Sequence, residues 1–199
     1  MSRKARLAVL VSGGGSNLQA IIDACQQNNL NAEVAVVVSN RDKIYALERA
    51  KKHNIETIVA LPKDFPDKTI YSQYIADELK KRNIDLVCLA GYLLKLEPNF
   101  VRSFKGRIIN IHPALLPKFG GDGMYGHFVH EAVLKAKEKE SGPTVHFVDE
   151  VYDNGEIILQ AKVPVLPNDT PDTLAKRVLE QEHKIYPEAI KIVLSKLGF

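Results

Sequence analysis

The sequence predicts an α/β fold: a mainly parallel, twisted sheet with flanking helices and a late antiparallel hairpin, in one domain over residues 1–199. Three observations carry this. Up to His112, five short β-branched or aliphatic runs alternate with stretches of helical period, and each run is ended by polar or glycine-rich residues. Such alternation implies right-handed crossovers, hence parallel strands covered on both faces. After His112 two strand candidates follow one another across a short polar link, the pattern of an antiparallel hairpin. Finally, 199 residues at 45% apolar are enough for one sizeable core and short for two ordinary domains.

Arg6 to Val11, Glu33 to Ser39, Glu56 to Leu61, Asp85 to Ala90 and Arg107 to His112 are the five runs that read as strands. Between them lie Leu18, Ile21, Ile22 and Cys25, then Ile44 and Leu47, then Ile70, Tyr71, Tyr74, Ile75 and Leu79, all at helical spacing. A proline-bounded loop then leads to a helix over Phe128 to Lys137 and to strands over Thr144 to Val148 and Glu156 to Val165. The second strand alternates at Leu159, Ala161, Val163 and Val165, and Pro164 puts its far end on an edge. Thr170 and Pro171 read as an N-cap and a first-turn proline opening a last helix, with Leu174, Val178 and Ile185 on one face. Pro187 is expected to kink or break that helix.

Charge and hydropathy narrow the function classes. The net charge is +3, from 27 Lys plus Arg against 24 Asp plus Glu, and the basic residues are spread along the chain, so no nucleic-acid partner is expected. The start, Met1 to Arg6, is basic like a leader, but the apolar run after it ends at Val11 against a glycine turn and reads as a strand. No stretch approaches the roughly 20 apolar residues that span a bilayer. A cytoplasmic protein without membrane contact is therefore expected. Cys25 and Cys88 sit inside apolar segments and read as buried thiols. Oligomeric state is not legible.

Chemistry concentrates at three places. Val11 to Asn17 joins the first strand to the first helix through Gly13, Gly14 and Gly15, and Ser16 with Gln19 has the capping-box pattern. Free N–H groups at a helix start, reached across glycines, make a phosphate cradle. A dinucleotide site is the alternative: its third glycine would fall at Leu18 and its acidic ribose ligand is missing from Ser39-Asn40-Arg41, although Arg41 could meet an NADP 2′-phosphate. The second place is Asn110-Ile111-His112-Pro113, where alternation turns the amide and the imidazole to one side and proline ends the strand. In a parallel sheet this end shares its edge with the glycine turn, and Ala90-Gly91-Tyr92 joins the same rim. The third is Asp153-Asn154-Gly155, in itself a turn signal; folded toward the rim, Asp153 would raise the pKa of His112. His127 and His130 are three apart near Glu131, but their order is not that of a known zinc helix, and no metal is expected. His53, His146 and His183 read as surface or strand residues without ligand partners.

Val11 to Ile21, Leu89-Ala90-Gly91-Tyr92, Asn110 to Pro117, Ser141 to Val148 and Gln181-Glu182-His183 together resemble the phosphoribosylglycinamide formyltransferase family, and the likeness runs nearly end to end. The resemblance implies a formyltransferase fold with a Rossmann-like N-terminal half. It also implies transfer of the formyl group of 10-formyltetrahydrofolate to the amine of glycinamide ribonucleotide in purine synthesis. By the same resemblance Gly15, Ser16 and Asn17 are the phosphate site, Glu182 is a ligand to the sugar or amine end, and Asn110, His112 and Asp153 are the catalytic trio. The folate cleft is implied at Leu93, Leu94, Lys95 and Leu96, with Lys68, Asn110 and the segment Asp149 to Asp153. An amine attacking a formyl carbon builds negative charge on oxygen, and the Asn110 amide and a protonated His112 suit that charge.

Many members of the family have Met-Arg at Leu93-Leu94 and arginine at Lys68. The loop Phe119 to Gly126 stands in place of a shorter proline-glycine turn, and its four glycines suggest a mobile lid. Rival readings on the same fold are formyltetrahydrofolate deformylase and methionyl-tRNA formyltransferase, both expected to carry an additional domain. A nucleotide sensor or an NADP-binding oxidoreductase using Arg41 is the rival from another class.

Overall fold

The computed structural model describes residues 3–199, so Met1 and Ser2 of the basic start lie outside the described residues. The first half runs β1 (Ala5–Val11), α1 (Ser16–Gln26), β2 (Ala32–Ser39), α2 (Tyr45–Lys52), β3 (Glu56–Val59), α3 (Lys68–Lys81), β4 (Leu86–Leu89), α4 (Pro98–Ser103) and β5 (Ile108–His112). The second half runs α5 (His127–Lys135), β6 (Glu140–Ser141), β7 (Thr144–Phe147), β8 (Ile157–Gln160), β9 (Val163–Pro164) and α6 (Pro171–Lys196). The main sheet has the order β3-β2-β1-β4-β5-β7-β8. β1 to β5 pair in parallel, and β7 and β8 are antiparallel. All five expected N-terminal strands are present, and β7 with β8 forms the expected hairpin.

Side-chain alternation along β1 divides the core into two layers. Leu7, Val9 and Val11 face Leu18, Ile21 and Ile22 of α1 and Tyr186 and Ile190 of α6. Ala8 and Leu10 face the opposite way, toward Ile75 and Leu79 of α3 and Phe100 and Phe104 near α4. A strand buried on both faces reads as a continuous apolar run, which is why β1 resembled a leader core. Cys25 and Cys88 are buried free thiols, and burial pushes the Cys25 thiol up to about 11.

Three local expectations change, and one helix is new. The strand expected over Glu156 to Val165 is two strands, because β9 leaves the main sheet to pair with β6. The break falls where Gly142 lies so close to Ala161 that a Cβ would stand 1.8 Å from the Ala161 carbonyl oxygen. Pro187 does not interrupt α6. Proline inside a helix costs about 3 kcal/mol, whereas each large side chain buried alongside it, Tyr186, Ile190 and Leu194 among them, returns about 1.5–3 kcal/mol. The capping box at Ser16 does not form: the N-cap is Gly15, left-handed at φ 72°, and no side chain caps the helix. The short α4, opened by Pro98, went unforeseen because six residues are too few to show a period.

Candidate active site

The chain leaves β1 toward β2 and β3, then returns to place β4 on the other side of β1, so the sheet reverses direction of growth between β1 and β4. Crevices at such points, beyond the carboxyl ends of the strands, are where open α/β sheets bind ligands. Here the glycine turn after β1 meets the Gly91 turn after β4: the Ser12 N–H donates to the Gly91 carbonyl at 3.1 Å, and the Leu93 N–H donates to the Ser12 hydroxyl at 2.9 Å. A cleft of about 590 Å³ opens at this edge.

Asn110 and His112 reach the cleft from β5, as alternation requires, and Asp153 reaches it from the turn after β7. Gly155 makes that turn possible, since a Cβ there would lie 1.8 Å from the Phe147 carbonyl oxygen. Asp153 itself is held at φ 49°, a left-handed backbone uncommon outside glycine and enriched in Asp and Asn. Its Oδ2 is 3.5 Å from His112 Nδ1 and accepts the Gly121 N–H at 2.9 Å. Its Oδ1 is 3.5 Å from His146 Nε2. One carboxylate therefore lies between two imidazoles.

His146 is the residue that sequence reasoning missed. It is buried, and β5–β7 pairing puts it directly opposite Asn110, with Thr144 opposite His112. Its Nδ1 lies 2.8 Å from the Phe147 carbonyl oxygen, and its Nε2 lies 3.2 Å from the Asn110 amide nitrogen as well as 3.5 Å from Asp153 Oδ1. Asn110 Nδ2 keeps a second hydrogen for the cleft. The alternation Thr144-Val145-His146 was the available signal, but the register that gives it meaning is not local.

His112 departs from expectation in the direction of its pKa. Burial of a ring with 3% of its surface exposed lowers its pKa below the ordinary histidine value. The Asp153 carboxylate and the Phe119 carbonyl oppose that shift without overcoming it, and His146 adds to it. Asp153 thus acts with the expected sign, but desolvation outweighs it. His112 Nε2 donates to the Phe119 carbonyl at 2.8 Å, so the glycine-rich loop begins directly on the imidazole. Asp153 is held below the usual carboxylate range by His146, His112 and the Gly121 N–H, against the cost of its burial.

On the α6 side, Asn17 Nδ2 donates to Glu182 Oε2 at 2.6 Å, and both residues line the cleft. Burial raises the Glu182 pKa, and Asn17 Oδ1 is buried without a hydrogen-bond partner. The fully buried Tyr186, one turn on, donates to the Leu89 carbonyl at 2.8 Å and so anchors α6 to the end of β4. On the other side stand Leu93, Leu94, Lys95 and Leu96, facing Val151 and Tyr152, with the Lys95 ammonium 5.0 Å from the Tyr152 ring centre.

Other expected residues lie apart. Gly15 and Ser16 do not line the cleft; Ser16 borders a separate polar groove with Gln19, Arg49 and His183. Lys68 is exposed at the first turn of α3, which follows β3 at the far edge of the sheet, and the structure does not bring it to the cleft. Arg41 is exposed, and its carbonyl accepts from the Ser39 hydroxyl. His127 pairs with Glu131 at 2.9 Å and approaches Asp172 at 3.6 Å, and among the described residues no cluster has metal-holding geometry.

Known proteins resemble this chain over nearly its whole length. The chain is 46% identical over 189 residues to a chloroplastic phosphoribosylglycinamide formyltransferase of Arabidopsis thaliana, covering 94% of this chain and 65% of that protein. It is 45% identical over 186 residues to the phosphoribosylglycinamide formyltransferase of Haemophilus influenzae, covering 94% and 85%. It spans 14% of the length of a Drosophila melanogaster trifunctional purine biosynthetic protein, at 44% identity. The crystal structure of glycinamide ribonucleotide transformylase 1 from Symbiobacterium toebii superposes with a TM-score of 0.91 at 42% identity, covering 96% of this chain and 88% of that one. With the formyl transferase model matching residues 5–190, the chain belongs to the formyl transferase family.

Proposed function

We propose that residues 1–199 act as one catalytic domain that transfers the formyl group of 10-formyltetrahydrofolate to the amine of glycinamide ribonucleotide, giving formylglycinamide ribonucleotide and tetrahydrofolate in purine synthesis. The observation that carries this is the single cleft in which Asn110, His112 and Asp153 lie between a polar wall and an apolar one. The polar wall suits the ribonucleotide: Asn17 Oδ1 waits for a donor, Glu182 can take a hydroxyl or amine, and beyond Asn17, outside the cleft lining, the start of α1 offers backbone N–H groups to a phosphate. Gly13 and Gly14 favour such an approach, since a Cβ on either would meet nothing within 4 Å. The apolar wall suits a folate ring, because Leu93 and Val151 leave 43% and 60% of their surfaces exposed at the mouth. The proposed location is the cytoplasm.

When bound, 10-formyltetrahydrofolate supplies the formyl carbon. The second N–H of Asn110 and the Nε2–H of His112 are the donors for the negative charge that develops on the formyl oxygen. The Phe119 carbonyl must release Nε2 for that. Asp153 orients the ring through Nδ1 and favours its protonation there, so as the formyl carbon leaves N10 for the amine, His112 can give a proton to N10 and be reprotonated by the proton the amine loses.

The test follows tetrahydrofolate release from 10-formyltetrahydrofolate with and without glycinamide ribonucleotide. Release that requires the ribonucleotide is expected. Equal release without it makes the protein a deformylase and sinks the proposal.

A further inference from the structure

We propose that His130 is a further substrate-binding residue of this cleft, its imidazole accepting a hydrogen bond from an N–H of the glycinamide arm; the inference rests on the function proposed above. Four histidines line the cleft, and three have their ring nitrogens engaged. His112 is held by the Phe119 carbonyl and Asp153, His146 by the Phe147 carbonyl and Asn110, and His127 by Glu131 and Asp172. His130 is 4% exposed, yet its Nδ1 has no hydrogen-bond partner. A buried nitrogen left in that state forfeits the hydrogen bond that water would give it. Such a cost is removed when a ligand brings the missing partner.

Position and charge say which partner. α5 packs against α6, so His130 stands on the side of the cleft that holds Glu182, Leu179 and Asn17, opposite the apolar wall. Burial, with His127 and His112 nearby, pushes its pKa down to about 4, and the ring is therefore neutral at physiological pH. A neutral imidazole has one lone pair to offer. Of the carboxylates that line the cleft, Asp153 and Glu182, one at the proposed reaction centre and one on the ribonucleotide wall, already accept from the Gly121 N–H and the Asn17 amide. The glycinamide arm carries N–H donors on its amide and its amine. An uncharged acceptor holds them without favouring the protonated amine as a free carboxylate would. The terminal torsion of histidine is broad and roughly two-fold, so the ring can turn Nδ1 toward the cleft.

Calorimetric titration of wild type, His130→Phe and His130→Asn with glycinamide ribonucleotide, and separately with 10-formyltetrahydrofolate, tests this. His130→Phe keeps the packing and removes the acceptor, so ribonucleotide affinity should fall roughly tenfold, the loss of one hydrogen bond, with folate affinity unchanged. His130→Asn restores an acceptor and should stay within about threefold of wild type. Wild-type ribonucleotide affinity in His130→Phe, or equal losses in both variants, overturns the proposal. Should His130→Phe fail to fold, histidine-labelled wild type supplies the readout: the His130 ring resonance, identified by its absence in His130→Asn, should move with ribonucleotide and not with folate. A resonance that stays in place while the ribonucleotide binds overturns the role of His130 alone. A wild type that binds no ribonucleotide overturns the proposed function as well.

Discussion

Substituting Gly14 and Gly15 one at a time separates what the glycine turn does for the fold from what it does for a ligand. Gly15 is left-handed at φ 72°, and a Cβ there would stand 2.7 Å from the Ala46 Cβ and 3.0 Å from the Ala46 Cα. The left-handed backbone costs an L-residue roughly 1–2 kcal/mol. Backbone atoms of α2 cannot swing aside as a flexible side chain can, so overpacking adds about 1–3 kcal/mol. Gly15→Ala should therefore lose about 2–5 kcal/mol of stability. At about 2–4 °C per kcal/mol for a chain of this size, the melting temperature should fall by at least about 4 °C. Gly14 has no positive φ and a Cβ there meets open space, so Gly14→Val should stay within about 0.5 kcal/mol of wild type. Its valine would instead fill the space through which a phosphate approaches the start of α1. Calorimetric melting with KM values for both substrates reads the two effects. Gly14→Val should raise KM for the ribonucleotide and leave that for the formyl donor unchanged. Equal destabilisation by the two substitutions, or equal rises in both KM values for Gly14→Val, would refute the reasoning.

Asn110→Ala removes the amide beside His146 Nε2 and the donor proposed for the oxyanion. Turnover should fall by about 10²- to 10³-fold with smaller changes in both KM values, and steady-state kinetics showing near-normal turnover in a folded variant would reassign the donor. Asp153→Asn removes the negative charge beside His112 Nδ1, the main influence holding that pKa up against burial. The imidazole pKa should drop further, the protonated form should be lost at lower pH, and the alkaline limb of the turnover profile should move down. A pH profile that overlays wild type, with circular dichroism showing both proteins folded, removes Asp153 from the trio.

The site was legible in unequal parts. Asn110 and His112 stand two apart on one strand, so their common direction follows from the pleat alone, and both reach the cleft. Asp153 reads locally as turn chemistry, and the contact with His112 exists because β7 returns beside β5 and carries that turn over the rim. His146 reads locally as no more than a strand residue for the same reason: nothing in its neighbours reveals that it pairs opposite Asn110. Lys68 is the opposite case: it came from the resemblance alone, and it stands exposed at the start of α3, outside the residues that line the cleft.

The sequence by itself determined the alternating elements, the parallel half of the sheet, the glycine turn and the strand-end pair, because each rests on periodicity or on backbone geometry within a few residues. The resemblance of its motifs added the family. Tertiary structure alone decided that β9 leaves the main sheet, that α6 runs unbroken through Pro187, and that one carboxylate lies between two imidazoles. It also set the charge of His112, where Asp153 pulls the pKa up and burial pulls it down further. The physical reason is common to all four. Each outcome is a balance between a local preference and burial against residues far away in the chain, and burial depends on how strands and helices meet, which no local window contains.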